Sequence, residues 1–121
     1  MPIQKILVVD DSKTEQMYIS DILKKNGYQV TTADDGDQAM ASMLTDKPDL
    51  VLLDVVMPGK NGFQLARSIS RDPLYAQIPI IMCSSKGQDT DRMWGLRQGA
   101  KDYITKPVDP EELISKIKAQ G

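Results

Sequence analysis

The 121 residues, 40% of them hydrophobic and 26% charged, have the size and balance of one soluble globular domain that can bury a core without a disulfide framework. Lys and Arg number 15 against 17 Asp and Glu, a net charge of -2, and the longest basic run is Lys24-Lys25, so the electrostatic footprint of a nucleic-acid binder is missing. Cys83 is the single cysteine and histidine is absent, which excludes an internal disulfide, thiolate or imidazole metal sites and Ser-His or Cys-His catalysis; any metal must be a hard one held by oxygen.

Met1-Pro2-Ile3-Gln4-Lys5 leads into an apolar stretch too short for a signal peptide, and no apolar run approaches the roughly 20 residues that span a bilayer, so a cytoplasmic protein without membrane insertion is expected. Ile6-Leu7-Val8-Val9 is continuously apolar and stops at Asp10-Asp11, the pattern of a strand buried on both faces. A helix follows. Ser12 with Glu15 three residues on has the form of a capping box, Tyr18, Ile19, Ile22 and Leu23 form a stripe, and Gly27 suits the left-handed position after the last turn. Tyr28 to Ala33 predicts a weaker strand, and Ala39, Met40, Met43 and Leu44 predict a helix that ends before Pro48.

Leu50-Val51-Leu52-Leu53 is a second buried strand and also ends at a carboxylate, Asp54. Met57 to Gly62 reads as a loop by its Pro and Gly content, with Phe63, Leu65, Ala66 and Ile69 in helical register after it. Ile78 to Cys83 predicts the fourth strand. Asp89 to Arg97 is a poorer helix, because Gly95 costs ~1 kcal/mol relative to Ala, and a helix so weakened is a candidate for movement. Tyr103-Ile104-Thr105 predicts a fifth strand, and Asp109-Pro110-Glu111-Glu112 supplies an N-cap, a first-turn Pro and acids before Leu113, Ile114 and Ile117.

Five strand-helix units with near-continuous apolar strands predict an α/β fold, a flavodoxin-like (βα)5 three-layer sandwich, over residues 1–121 as a single domain. The parallel strand order 2-1-3-4-5 is expected by analogy with other doubly wound sheets. In such a sheet, ligands bind beyond the carboxyl ends of the strands, where this chain carries Asp10, Asp11, Asp54, Ser84 and Lys106. Neighbouring first and third strands would bring the three carboxylates together, and like charges ~4 Å apart repel by roughly 4 kcal/mol at an effective dielectric near 20. A shared Mg²⁺ is the natural remedy, since it takes octahedral oxygen ligands, while the ligand loop of a Ca²⁺ cage is absent. An Asp carboxylate can act as a nucleophile toward phosphorus, with a metal and a lysine offsetting the developing charge.

These motifs, namely Asp10-Asp11, Asp54 followed by Met57-Pro58-Gly59 and Asn61-Gly62, Ser84, and Tyr103 with Lys106-Pro107, resemble the receiver domain of two-component response regulators from the first strand to the last helix. The resemblance implies that Asp54 accepts a phosphoryl group from a histidine kinase, that Asp11, Asp54 and the Val56 carbonyl bind Mg²⁺, and that Asp10 assists through water. It further implies that Ser84 and Lys106 bind phosphoryl oxygens, that Ser84 and Tyr103 form the switch, and that the Lys106-Pro107 bond is cis. The switch expected is a Ser84 hydroxyl drawn toward the phosphoryl oxygen, vacating space into which the Tyr103 ring turns. The segment from Gln88 to Val108, with Trp94-Gly95 and Arg97-Gln98-Gly99-Ala100, and the opening Ser12-Lys13-Thr14-Glu15 resemble single-domain receivers of twitching-motility chemosensory systems. The family often has Thr where Ser84 stands; Ser keeps the hydroxyl and lacks the methyl that helps fix its rotamer.

On this resemblance the chain is a phosphoacceptor rather than an enzyme, one that promotes its own phosphoryl transfer and dephosphorylation. It would have no output domain, act on a downstream protein through the face of helix four, strand five and helix five, and exist as a monomer or weak dimer. Blander roles compete at each position. Asp10-Asp11 could cap the first helix, Lys106 could be a solvated loop lysine, and Ser85 competes with Ser84, which is preferred from the motif register. Tyr103 could be a strand aromatic half-buried against the last helix, Met40, Met43, Met82 and Met93 read as core filler, and Trp94 suits packing or surface recognition equally. A Mg²⁺-dependent phosphohydrolase would need a second Asp two residues after the nucleophile, where Val56 stands, and a flavodoxin-like electron carrier would need a phosphate loop where Asp10-Asp11 would repel one.

Overall fold

Strands that are apolar at every position need cover on both faces, and here they receive it. The computed structural model describes residues 2–55, 61–85 and 88–121. Strands β1 (Lys5–Val9), β2 (Gln29–Ala33), β3 (Leu50–Asp54), β4 (Ile80–Ser84) and β5 (Asp102–Thr105) alternate with helices α1 (Lys13–Lys25), α2 (Gly36–Thr45), α3 (Gly62–Arg71), α4 (Asp89–Arg97) and α5 (Pro110–Gln120). All strand pairs are parallel, in the order β2-β1-β3-β4-β5, the flavodoxin-like arrangement expected from the sequence.

Alternation along the strands sorts the core into two. Ile6, Val8, Leu50, Leu52, Ile81, Cys83 and Ile104 pack with Ile19, Ile22 and Leu23 of α1 and Leu113 and Ile117 of α5. Leu7, Val9, Val51, Leu53, Ile80, Met82 and Tyr103 pack on the opposite face with Ala39 and Met43 of α2 and Leu65, Ala66 and Ile69 of α3. The edge strand β2 is mostly exposed, which accounts for its weaker apolar signal.

Local chemistry sets the helix ends. Ser12 accepts from the Glu15 N–H, but the Ser12 N–H goes to the Asp10 carboxylate and not to Glu15, so the capping box expected there is half formed. A complete box stands instead at Asn61, whose carboxamide accepts from the Gln64 N–H at 2.9 Å while Gln64 accepts from the Asn61 N–H at 3.0 Å. Gly27 takes the left-handed conformation, φ 89°, immediately after the Asn26 C-cap, and Asp109 caps α5 with Pro110 in its first turn.

Several apolar side chains depart from their expected core positions. Leu44 and Met93 face solvent, so the α2 stripe is Ala39 and Met43 with partly buried Met40, and only Met43 and Met82 are fully buried methionines of the four. Tyr18 is half exposed and uses its hydroxyl as a donor to the Val108 carbonyl at 2.8 Å, which ties α1 to the segment after β5.

Candidate functional site

The ends of β1, β3, β4 and β5 converge because the sheet is parallel and in near-perfect register. Val9 lies opposite Leu53, Asp54 opposite Cys83, and Ser84 opposite Thr105, so Asp10 and Asp54 are next to each other and Lys106 begins one step past Ser84. Two backbone bonds hold these ends in place: the Asp10 N–H donates to the Ala33 carbonyl at 3.1 Å and the Lys106 N–H to the Ser84 carbonyl at 2.8 Å.

Asp10, Asp11 and Asp54 each offer a carboxylate oxygen within 4.8 Å of the others, with Asp10 and Asp54 buried and Asp11 exposed. Lys106 reaches into the cluster, its Nζ 2.9 Å from Asp10 Oδ2 and 3.4 Å from Asp54 Oδ1. The other Asp10 oxygen accepts the Ser12 N–H at 2.9 Å, so Asp10 belongs to the cluster and not to a simple helix cap, and Lys106 is not a solvated loop lysine.

Burial pushes the Asp54 carboxyl up to about 6, the Asp10 charge adds to the rise, and the Lys106 ammonium opposes it. Burial also pulls on Lys106, downward, yet its hydrogen bond to Asp10 and the charges of Asp54 and Asp10 outweigh that and raise its pKa. Three carboxylates against one ammonium leave two negative charges, the deficit that a divalent cation removes. All donors are hard oxygens and one face of the cluster is open through Asp11, so the residues fit Mg²⁺. Val56, whose carbonyl completes the implied ligand set, and Met57-Pro58-Gly59 lie outside the described residues.

Ser84 and Tyr103 are both buried, and their side chains share a hydrogen bond. Burial raises the Tyr103 phenol above its ordinary pKa, with the Ser84 bond acting the other way. Tyr103 is fully buried and faces the α3 and α4 side, away from the last helix, so the alternative of a strand aromatic half-buried against α5 does not hold. The ring is already inside, with the Arg92 guanidinium 5.9 Å from its centroid. The inward turn expected on modification therefore starts from an inward ring. Cys83, under the same strand ends, is buried and its thiol is pushed up to about 12 by that burial, so it is inert as a nucleophile. The Lys106-Pro107 bond is cis, as the resemblance implied.

Gln16 went unread in the sequence, and Gly62 was named among the motif residues without its packing role. A Cβ on Gly62 would stand 2.1 Å from the Asp54 carbonyl oxygen, so only glycine lets the start of α3 lie against the Asp54 backbone. Gln16, buried in α1, donates its carboxamide to the Asp10 carbonyl. Its signal was its position three residues before Ile19, on the apolar stripe, where a polar residue is out of place.

Residues 6–118 match the response regulator receiver domain. The chain belongs to the response regulator receiver family. It is 49% identical to protein PilH of Pseudomonas aeruginosa over 95% of both chains. It is 45% identical to the phosphate regulon transcriptional regulatory protein PhoB of that organism over 94% of this chain, which spans 50% of that protein's length. Chemotaxis protein CheY4 of Vibrio cholerae superposes with a TM-score of 0.92 at 30% identity, covering 98% of this chain and 99% of the other. The BeF3-activated N-terminal receiver domain of Klebsiella pneumoniae RstA gives 0.90 at 33% identity, covering 97% of each chain. Receivers are phosphoacceptor signalling domains of two-component systems, paired with a histidine kinase as donor and with a downstream partner. Among the described residues no helix is long and apolar enough to cross a membrane.

Proposed function

We propose that this receiver takes a phosphoryl group from a histidine kinase onto Asp54, with Mg²⁺ held by Asp11, Asp54 and the Val56 carbonyl and by Asp10 through water. The observation that carries this is the meeting of Asp10, Asp11 and Asp54 within 4.8 Å, with the Lys106 ammonium already bonded to two of them. The Asp54 carboxylate oxygen attacks phosphorus and forms an acyl phosphate, the bond from phosphorus to the kinase histidine nitrogen breaks, and that nitrogen leaves with the electron pair. Mg²⁺ would offset charge on the transferred oxygens. Lys106 pairs with one phosphoryl oxygen, giving up part of its bond to Asp10, and the Ser84 hydroxyl donates to another.

Donation from Ser84 to the phosphoryl group competes with the bond it shares with Tyr103, so phosphorylation removes a partner from a buried phenol beneath α4. That is the coupling by which α4, β5 and α5 would change their affinity for a downstream protein. The motifs between Gln88 and Val108 support a place in a twitching-motility chemosensory pathway, as does the 49% identity to protein PilH.

Asp54→Asn keeps the size and hydrogen-bonding shape of the acceptor and removes its nucleophilic charge. The variant is expected to fold, to take no label from a phosphorylated histidine kinase or from acetyl phosphate, and to lose the Mg²⁺-dependent response to beryllium fluoride. Alkali-labile labelling that persists in Asp54→Asn, mapped to another carboxylate, overturns the assignment.

A further inference from the structure

We propose that Gln16 is a positioning residue for Asp10: it ties the main chain at the end of β1 to α1 and to the end of β2, and so holds the Asp10 carboxylate in the acid cluster. The proposal rests on the phosphoacceptor function above. Gln16 lies one turn into α1 and is 4% exposed, on the stripe shared with Ile19, Ser20 and Leu23. Three acceptors surround its Nε2: the Asp10 carbonyl, the Ala33 carbonyl at 3.2 Å and Asp34 Oδ1 at 2.8 Å. A carboxamide nitrogen has two hydrogens, so the three bonds are shared, and one side chain gathers the ends of β1 and β2 and the start of the following loop.

The tie reaches the carboxylate through the main chain. The Asp10 N–H is held by the Ala33 carbonyl at 3.1 Å and the Asp10 carbonyl by Gln16, so both peptide groups that set the direction of the Asp10 side chain are fixed. Of the two carboxylate oxygens, one is held by the Ser12 N–H and the other by Lys106. Lys106 must share that bond once a metal or phosphoryl group arrives, which leaves the main-chain ties and Ser12 to hold Asp10 in place. Gln16 touches neither the metal-binding oxygens nor Asp54, and acts only through Asp10.

The test uses Gln16→Met, which keeps length, volume and charge and removes the donors. Outer-shell partners bonded directly to a metal ligand typically matter 10–100-fold; Gln16 acts one step further out, through the Asp10 main chain, so calorimetric titration should show Mg²⁺ binding to Gln16→Met weakened at the low end of that range, roughly tenfold. Labelling by acetyl phosphate should need correspondingly more Mg²⁺ while its rate at saturating Mg²⁺ stays within about twofold of wild type, a split that lost stability alone does not produce. Wild-type Mg²⁺ affinity in Gln16→Met, whatever its melting temperature, overturns the proposal. Should Gln16→Met fail to fold, the wild-type Gln16 side-chain amide decides by NMR: it should be protected from exchange and shift with the same Mg²⁺ midpoint as the Asp10 amide, and a resonance that does not move overturns the proposal. Wild-type protein that binds Mg²⁺ but takes no label refutes the phosphoacceptor function instead, leaving the Mg²⁺ titrations to judge Gln16.

Discussion

Helices α1 and α4 cover opposite faces of the sheet and are held by different means. α1 buries Gln16, Ile19, Ser20, Ile22 and Leu23, is capped by Ser12 and ends at a left-handed glycine. α4 has no side-chain cap at Gln88, and within it only Gly95 is buried, with Met93, Trp94 and Leu96 largely exposed. The first helix stands beside Asp10 and the acid cluster, the second over Tyr103. The acid cluster proposed as the phosphoacceptor site lies beside the well-anchored helix, and the loosely anchored one is the element better suited to move.

The largest effect expected from this contrast is in stability. Leu23→Ala empties a fully buried site under α1 and should cost 2–5 kcal/mol in urea unfolding, whereas Leu96→Ala on half-exposed α4 should stay within about 0.5 kcal/mol. Equal losses at the two positions would remove the asymmetry. In native-state hydrogen exchange the α4 amides should open well before those of α1.

Next in size is the electrostatic cost of the acid cluster. The folded-state pKa of Asp54 is raised, to about 6, above that of an unfolded Asp near 4, so the folded protein binds the extra proton. The sign follows: the metal-free protein is most stable below about pH 4 as far as this group is concerned, loses stability as pH rises from about 4 to 6, and has lost the whole contribution above that. Allowing for solvent screening of a partly exposed group, the loss is on the order of 2 kcal/mol. Melting curves without metal should therefore improve from pH 7 to pH 5, Asp54→Asn should flatten that trend, and saturating Mg²⁺ should reverse it by favouring the carboxylate. Indifference of the wild type to both pH and Mg²⁺ would show that the three acids do not share one field.

Much of the arrangement was legible in the sequence, for a physical reason. Buried parallel strands must be apolar throughout, so Asp10, Asp54 and Lys106 stand out as the residues at which those runs stop or turn, and the fold then has no other place to put them. The roles of Gln16 and Gly62 were harder to read: a polar residue on the apolar stripe of α1 does not say what it bonds, and a single close backbone approach leaves no periodic trace. The complete capping box at Asn61 was masked by the Pro and Gly residues before it, which mark a loop without marking where the next helix begins. The inward burial of Tyr103 was equally hidden, since it depends on a glycine from another element leaving room for the ring.

That glycine carries the smallest and most diagnostic prediction. Gly95 sits inside α4, where alanine would stabilise the helix by ~1 kcal/mol if nothing lay nearby. A Cβ there would come within 3.0 Å of the Met82 sulfur and 3.2 Å of the Tyr103 ring. The thioether can give way, but the ring is held by the bond its hydroxyl shares with Ser84, so the added methyl pushes either the ring or the helix. In Gly95→Ala the helix gain and the contact strain should nearly cancel in unfolding free energy, to within about 1 kcal/mol. Tyr103 should nonetheless respond: its ring resonances should shift, and the Ser84 bond should weaken before any phosphoryl group is present. Combining Gly95→Ala with Tyr103→Ala removes the obstacle, so the helix gain should reappear as a net stabilisation relative to Tyr103→Ala alone. If it does not, Gly95 is not the space that lets α4 close over the Tyr103 ring, and the coupling between helix and ring must run through the Arg92 contact instead.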